Sequence, residues 1–415
     1  MKRTDVIVIG AGQAGLAMSW QLTSRGIDHV VIERGRIAER WRSERWDSLR
    51  LLTPNWMTRL PGRSYRGPEP DGFMTMPEVT RFFEDYAASF AAPVVAETTV
   101  HAVARCGAGW GVATDHGAWS ARAVVIATGH CDLPQVPAMA EGMPWHVAQV
   151  MPGAYRNPGL LPGGNVLVVG ASASGVQIAD ELLRAGRGVT IAVGRHTRLP
   201  RSYRGRDIMW WLDRAGVLDE PIDGQRDIEA ARGQPSLQLV GDPRCEALDL
   251  GTLHAAGARL VGRALGAAGG RMHFAGDLDE TVAAAERRLI RLRNRIDGFI
   301  ARHPPDQPVP AAEPWRPLGF AGGAGTIDLA AEGITSVVWA TGFRRGYRWL
   351  KVPALDARGE IAHHHGVTRW PGLYVLGLRF LRTRKSSFID GVAADSLALA
   401  AHLQRHLDAE CRVAV

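Results

Sequence analysis

The chain has 415 residues, 46% of them hydrophobic and 22% charged, and a formal net charge of +7. That length accommodates about two or three domains, and no apolar run approaches the roughly 18–20 residues of a membrane span. Lys and Arg are scattered without a block or a nucleic-acid motif, so the positive balance speaks for small anionic ligands and against nucleic acid. The four cysteines, Cys106, Cys131, Cys245 and Cys411, form neither a C-x-x-C pair nor a zinc spacing, which argues against dithiol chemistry and a disulfide framework. The first strand pattern starts at Asp5 and leaves no room for a leader, so the expected place is the cytoplasm.

In chain order, 6–9 reads as a buried strand, about 14–25 as a helix and 29–32 as a second strand. This is one βαβ unit of a parallel sheet covered on both faces. A Trp- and Pro-rich passage without periodicity runs from Trp41 to about Pro77. A helix is predicted over 77–90, a small glycine-punctuated meander over 94–121, and a buried strand over 123–130, "AVVIATGH". The Pro/Gly run "NPGLLPGGN" at 157–165 reads as a domain linker. After it the βαβ pattern restarts, with a strand at 166–169, a helix to about Arg184 and a strand at 189–193. Helical patterns occupy much of 203–302, including 281–300, and "HPPDQPVPAAEP" at 303–314 is a proline-rich loop. "TSVVWATGF" at 335–343 repeats the strand-plus-ATG pattern. "GLYVLGL" and an apolar-periodic stretch from Gly391 close the chain as strand and helix.

Each βαβ unit carries a glycine fingerprint in the required place, between strand and helix. The first, "GAGQAG", has Gly10, Gly12 and Gly15 with Gln13 and Ala14 at the helix start; the second, "GASASG", has Gly170, Ser172, Ser174 and Gly175. The first glycine makes a tight turn, the middle position lets backbone approach a pyrophosphate, and the last lets helix and strand pack closely. The helix N-terminus then holds the phosphates through free N–H groups and its dipole.

The ends of the second strands differ. Glu33 stands 18 positions past Gly15 and is followed by Arg34. A carboxylate there accepts ribose hydroxyls and repels a 2′-phosphate, so the first site is read as FAD. Arg195 stands 20 positions past Gly175, with His196, Arg198 and Arg201 close by. A guanidinium there suits a 2′-phosphate, so the second site is read as NADPH, a solvated surface arginine being the competing reading. The ATG runs add Thr128 and Gly129 to the first site and Thr341 and Gly342 to the second. The expected fold is α/β, with two dinucleotide-binding Rossmann-like domains in a glutathione-reductase-like FAD/NAD(P) arrangement. Residues 1–160 and 331–415 form the FAD domain. Residues 161–330 form the inserted NADPH domain, whose helical part contributes to a substrate pocket.

His363, His364 and His365 are adjacent, without a carboxylate or cysteine at ligand spacing, so they read as an exposed loop and no metal is expected. Trp210 and Trp211 suit either a pocket wall or a helix core. "RTRKSSF" at 382–388 either brings Arg384 or Lys385 to an anionic substrate or is a solvated loop. No Ser-His-Asp order points to hydrolysis.

With both fingerprints placed, the chain resembles the class B flavin-dependent monooxygenases: flavin-containing monooxygenases, plant YUCCA-type enzymes and Baeyer–Villiger enzymes. The resemblance rests on GAGQAG, Glu33, "ERW" at 39–41, "SLRLLTPNWMTRLPG" at 48–62, both ATG runs, the second fingerprint and "GLYVLG…DGVAADS". It implies that Trp41 packs beside the FAD. It also implies that Gly391 and Val392 start a terminal helix facing the flavin, where a helix dipole favours negative charge. The family's linker motif is incomplete here: Gly142 and His146 keep its spacing, while Ala140 and Val150 replace its aromatic ends. Aligned on Tyr155 instead, Met151 takes the histidine position. Leu52 stands where many members have an asparagine, and Asn55 comes three positions later.

The implied activity is an FAD- and NADPH-dependent monooxygenase. Hydride passes from NADPH to FAD, a C4a-(hydro)peroxyflavin forms with O2, and a small organic substrate is oxygenated at nitrogen, sulfur or carbon. A reductase or oxidase passing electrons to an acceptor or to O2 is the alternative, and a sensor that binds cofactor without turnover is a third reading. The expected partners are a small-molecule substrate and O2, with no nucleic acid and no membrane; monomer and homodimer stay open.

Overall fold

The computed structural model describes residues 1–304, 308–313, 317–320 and 325–413. Residues 305–307 and 314 of the expected proline-rich loop lie outside the described residues. The chain begins with β1 (Lys2–Ile9), α1 (Gln13–Thr23), β2 (His29–Ile32), α2 (Glu39–Ser43) and α3 (Met76–Ser89). There follow β3 (Val94–Val95), β4 (Val100–Cys106), β5 (Gly109–Thr114), β6 (Gly117–Ile126) and β7 (Ala148–Val150). Next come β8 (Asn165–Val169), α4 (Ala173–Arg184), β9 (Val189–Ala192), α5 (Ile208–Arg214), α6 (Ile228–Arg232), α7 (Leu250–Ala255), β10 (Arg259–Val261) and α8 (Leu278–Arg302). The chain ends with β11 (Ile334–Trp339), β12 (His363–His364), β13 (Val367–Thr368), β14 (Leu373–Val375) and α9 (Val392–Val413).

Among the described residues these strands build two main sheets. The first runs β12-β13-β14-β6-β1-β2-β3, with β4 and β5 attached to β6 as an antiparallel meander. The second runs β7-β11-β8-β9-β10, with every pair parallel. The inner strands are apolar along their length because both faces are covered: Val6, Ile7 and Val8 in one sheet, and Val166, Leu167 and Val168 in the other, are fully buried.

The two units are congruent at their fingerprints. The strand ending in ATG lies directly beside the fingerprint strand, Ile126 opposite Ile9 in one sheet and Trp339 opposite Val169 in the other. Gly10 (φ +106°) and Gly170 (φ +113°) then press on the ATG alanines. A Cβ on Gly10 would stand 2.7 Å from the Ala127 oxygen, and one on Gly170 2.3 Å from that of Ala340. A Cβ on Gly15 or Gly175 would strike the carbonyl of its own turn, at 1.7 and 1.9 Å. Neither glycine pair tolerates a side chain.

Sheet membership corrects the expected domain boundaries. β7 precedes residue 160 and β11 follows residue 331, yet both belong to the second sheet. The chain crosses between units where Leu133–Pro134 pairs antiparallel with Phe343–Arg344. The Gln135 N–H donates to the Gly342 carbonyl at 2.9 Å, which tightens the crossing. The Pro/Gly run at 157–165 is instead a surface connection from β7 to β8; prolines and glycines mark a change of direction there, not of domain.

Between β9 and β11 a helical region builds a core of its own around Trp211, Leu212, Leu289 and Ile296. Trp211 is buried, and its indole donates to the Tyr203 carbonyl at 2.6 Å, so it is a core residue. Arg198 joins this region to the sheet through buried Asp249 (2.7 Å) and Glu286. Burial pushes the Glu286 carboxyl up, and the Arg198 guanidinium beside it opposes that shift. Replacing Arg198 by Met would leave two buried carboxylates without their cation. The expected cost is about 3–5 kcal/mol of folding stability, read from the urea midpoint.

Candidate active site

Helices α3, α5, α6 and α7 start under side-chain caps from Thr75, Asp207, Asp227 and Asp249, and α2 and α8, without such a cap, carry acids in their first turns. The two fingerprint helices have neither. α1 begins after Gly12 and α4 after Ser172, each without a side-chain cap or an acid in the first turn. Their first N–H groups and positive dipole ends are left for an outside anion. Gly12 (φ −85°, ψ −169°) and Ser172 (φ −86°, ψ −174°) share one backbone conformation, so serine replaces glycine without changing the turn. A Cβ on Gly12 would meet nothing within 4 Å, which is the open cradle a pyrophosphate needs.

Glu33 lies across the first turn, accepting from the Ala11 N–H at 2.7 Å and the Gly35 N–H at 3.1 Å. Its carboxylate is thereby fixed at the end of β2. Arg34 is exposed and joins Glu44 (3.2 Å) and Asp132 (3.7 Å) in a network with Arg40. Arg40 also donates to the Thr128 carbonyl at 3.3 Å, over the first ATG turn that carries Gly129. Trp41, in α2, donates from its indole to Gln13 Oε1 at 3.3 Å, so α2 is tied to the start of α1.

A cavity of about 1660 Å³ opens between the units. It brings together Gln13 and Trp41 from the first unit with Gly170, Ser172, Ser174, Arg195, Thr341 and Gly342 from the second. Gly10, Ala14, Gly15 and Gly175 form the packed floor of their turns instead. Gly391 and Val392 are not among the lining residues, whereas Phe388 and Ile389 just before them are. Gly391 is required there because a Cβ would fall 1.8 Å from the Lys385 oxygen.

Of the cations near the second strand, only Arg195 is exposed toward the cavity. Arg198 is held by Asp249 and Glu286, and buried Arg201 by Asp207 (2.6 Å) and the Leu52 carbonyl. Buried His196 is lowered by desolvation and so favours its neutral form. The sequence reading missed Arg288 and Arg291 of α8, which line the cavity with Arg195. Arg288 donates to the His196 carbonyl at 2.7 Å, and burial first, then Arg195 and Arg291, lower its pKa. Their i,i+3 spacing was the available signal.

Arg45 and Arg379 were also missed. Both line the cavity, and among the described residues neither has an ion-pair partner. Arg384 and Lys385, singled out in the sequence, are committed to Glu220 (2.6 Å) and to Asp219 (2.9 Å) and Asp390 (3.3 Å). Burial, then Arg379, Arg345, Arg45 and Arg40, pushes His130 down to about 3, so it is neutral at pH 7. Burial also pushes the neighbouring Cys131 thiol up. Asn55 is buried and structural, accepting from the Met74 N–H and donating to the Glu69 carbonyl, whereas Leu52 lines the cavity. His146 is exposed, and buried Tyr155 bonds Glu181 at 2.9 Å, so neither linker candidate reaches the cavity wall. The three histidines are not a plain loop: two form β12, and Asp223 from the inserted region lies beside them.

A family model described as pyridine nucleotide-disulphide oxidoreductase matches residues 7–209. The "uncharacterized oxidoreductase CzcO-like" of Geobacillus kaustophilus is 32% identical over 97% of this chain and 99% of its own length. The probable indole-3-pyruvate monooxygenase YUCCA4 of Arabidopsis thaliana is 31% identical over 48% of this chain and 49% of its own. A flavin-containing monooxygenase from Stenotrophomonas maltophilia superposes with a TM-score of 0.67, at 19% identity over 98% of this chain and 100% of its own. The chain belongs to the CzcO-like family of oxidoreductases. The pyridine nucleotide-disulphide oxidoreductase match implies a flavin and a nicotinamide cofactor, and the two fingerprint helix starts, free of cap and first-turn acid, fit two dinucleotides. Among the described residues no helix is long and apolar enough to cross a membrane.

Gly12 has negative φ and room for a side chain, so Gly12→Asp keeps the fold. It places a carboxylate at the helix start, and flavin retention read from the visible spectrum should fall by at least about tenfold. In the first turn of α9, burial raises the Asp395 carboxyl to about 6. An acid raised above its unfolded value of about 3.9 destabilises the fold as pH climbs from about 4 through 6. Asp395→Asn should match the parent at pH 4 and exceed it by ~1–3 kcal/mol at pH 7.5 in chemical denaturation.

Proposed function

We propose that this flavoprotein is an FAD- and NADPH-dependent monooxygenase acting with O2 on a small organic molecule. The observation that carries the proposal is one cavity bordered by Gln13 of the first turn and by Gly170, Ser172 and Ser174 of the second, with no cysteine pair among its described lining residues. His130 is neutral, and Cys131 is a lone thiol kept protonated by burial. The remaining chemistry is therefore assigned to the cofactors, with the protein positioning them. Similarity of about half the chain to an indole-3-pyruvate monooxygenase supports oxygenation over electron transfer alone.

In this reading the unit built on β1 holds FAD. The N–H groups at the start of α1 receive the pyrophosphate, and Glu33, pinned across the turn, accepts the ribose hydroxyls. The unit built on β8 holds NADPH, with Ser172 and the start of α4 on its phosphates and Arg195, Arg288 and Arg291 on the 2′-phosphate. A bound flavin supplies two-electron exchange with nicotinamide and activation of dioxygen. Trp41, Leu49, Leu51, Leu52 and Phe388 give the cavity a largely apolar wall that limits water there. Arg45 and Arg379 add positive charge to that wall and can orient an anionic group.

Anaerobic stopped-flow reduction tests the cofactor assignment. NADPH should reduce the flavin in preference to NADH, and Arg195→Ala combined with Arg291→Ala should erase about 10–100-fold of that preference, leaving NADH reduction unchanged. Admitting oxygen to the reduced protein tests the activity. A transient absorbance between those of reduced and oxidised flavin, long-lived only with NADP+, is the expected result. Direct return to the oxidised spectrum with stoichiometric peroxide would instead establish the oxidase or reductase reading.

A further inference from the structure

Away from the nucleotide turns, one side-chain cluster has the composition of a metal site. β12 and β13 form a hairpin whose two turn residues, His365 (φ +51°) and Gly366 (φ +88°), are both left-handed, as a tight two-residue hairpin turn requires. Neighbours along an extended strand point to opposite faces. Here the turn swings His365 back over His364, and their rings lie 4.0 Å apart at 23°. Asp223 arrives from the inserted region, 141 positions earlier than His364. Its Oδ1 stands 3.0 Å from His365 Nε2 and 3.6 Å from His364 Nε2. One ligand atom from each of the three residues lies within 4.8 Å of the others.

The backbone on both sides is placed by contacts that do not involve these side chains. The Ile222 N–H donates to the Arg382 carbonyl at 2.8 Å, and buried Ile222 packs with Ala231 and Phe380. On the other side the hairpin ladder itself holds the two histidines. Asp223 is thus presented to the imidazoles by two independently anchored segments.

We propose that Asp223, His364 and His365 bind a divalent first-row transition ion, for which Zn2+ is the reference probe. Two imidazoles and one carboxylate suit such borderline ions, and a set with imidazole donors disfavours Mg2+ and Ca2+. Three protein ligands leave the remaining positions to water. Seating the ion requires the His364 side chain, 80% exposed, to swing out of its ring stack, while His365, 23% exposed, stays pinned by the turn. Arg232, the nearest guanidinium in hydrogen-bond contact with this histidine run, approaches His363 at 3.5 Å and not the three ligands. The same inserted segment carries Glu229, Arg232 and Gln234 into the cavity wall. An ion at this site would tie that part of the wall to the hairpin of the first sheet.

The test uses the untagged, flavin-loaded full chain, stripped with chelator and desalted, then titrated calorimetrically with Zn2+. Binding of one Zn2+ per chain is expected. Asp223→Asn and His365→Ala, on different segments, should each weaken it by at least about tenfold, while His146→Ala, at an exposed histidine elsewhere, leaves it unchanged. Co2+ should give visible ligand-field bands in the parent that vanish in His364→Ala. Unfolding midpoints equal to the parent's show that the variants retain the fold. No stoichiometric binding by the parent, or undiminished binding by both ligand variants, overturns the proposal.

Discussion

The architecture turns on one steric contact used twice: a glycine turn pressed between its own helix and the neighbouring ATG strand. At Gly10 and Gly170 the positive φ and the close carbonyls of Ala127 and Ala340 leave no volume for a side chain. Gly15 and Gly175 allow each helix to lie directly on the turn before it. These contacts aim the N-termini of α1 and α4 at the carboxyl edge of their sheets, where open α/β folds bind ligands. A methyl group at any of the four would move the helix that holds the phosphates.

The distribution of arginine follows from what the fold leaves unneutralised. Arg198 and Arg201 are close in sequence to Arg195, yet they are buried among carboxylates and carbonyls and hold the helical region to the sheet. Arg384 and Lys385 clamp the inserted region to the first unit through Glu220 and Asp219. Arg195, Arg45 and Arg379 face the cavity without an ion-pair partner among the described residues. Cations already matched by buried acids add little to ligand binding, whereas unmatched ones at a cavity wall attract anions.

Much of this could be read in advance. The two βαβ units, the five fingerprint glycines, the helix over 77–90 and the repeated ATG strands are local patterns of apolar period and turn chemistry, and each forms where its residues predict. The boundary at 157–165 was misplaced because a Pro/Gly run looks the same whether it ends a domain or turns between strands of one sheet. Arg45 and Arg379 carried no distinguishing local signal beyond their charge, and Arg288 and Arg291 only their i,i+3 spacing. Their roles depend on which carboxylates approach them, and those come from distant segments.

The sequence by itself determined what short-range sterics and periodicity control: two dinucleotide turns, the parallel strands that carry them, and a carboxylate at the end of one β2-type strand against an arginine at the end of the other. Only the tertiary structure decided which groups share a space. It put β7 and β11 into the second sheet, opened one cavity to both turns, and paired Arg384 and Lys385 with acids of the inserted region. It also set Asp223 beside His364 and His365, a juxtaposition that no spacing along the chain encodes. The reason is physical: backbone conformation depends on neighbours a few positions away, whereas charge pairing and ligand geometry depend on distances fixed by the packing of the whole chain.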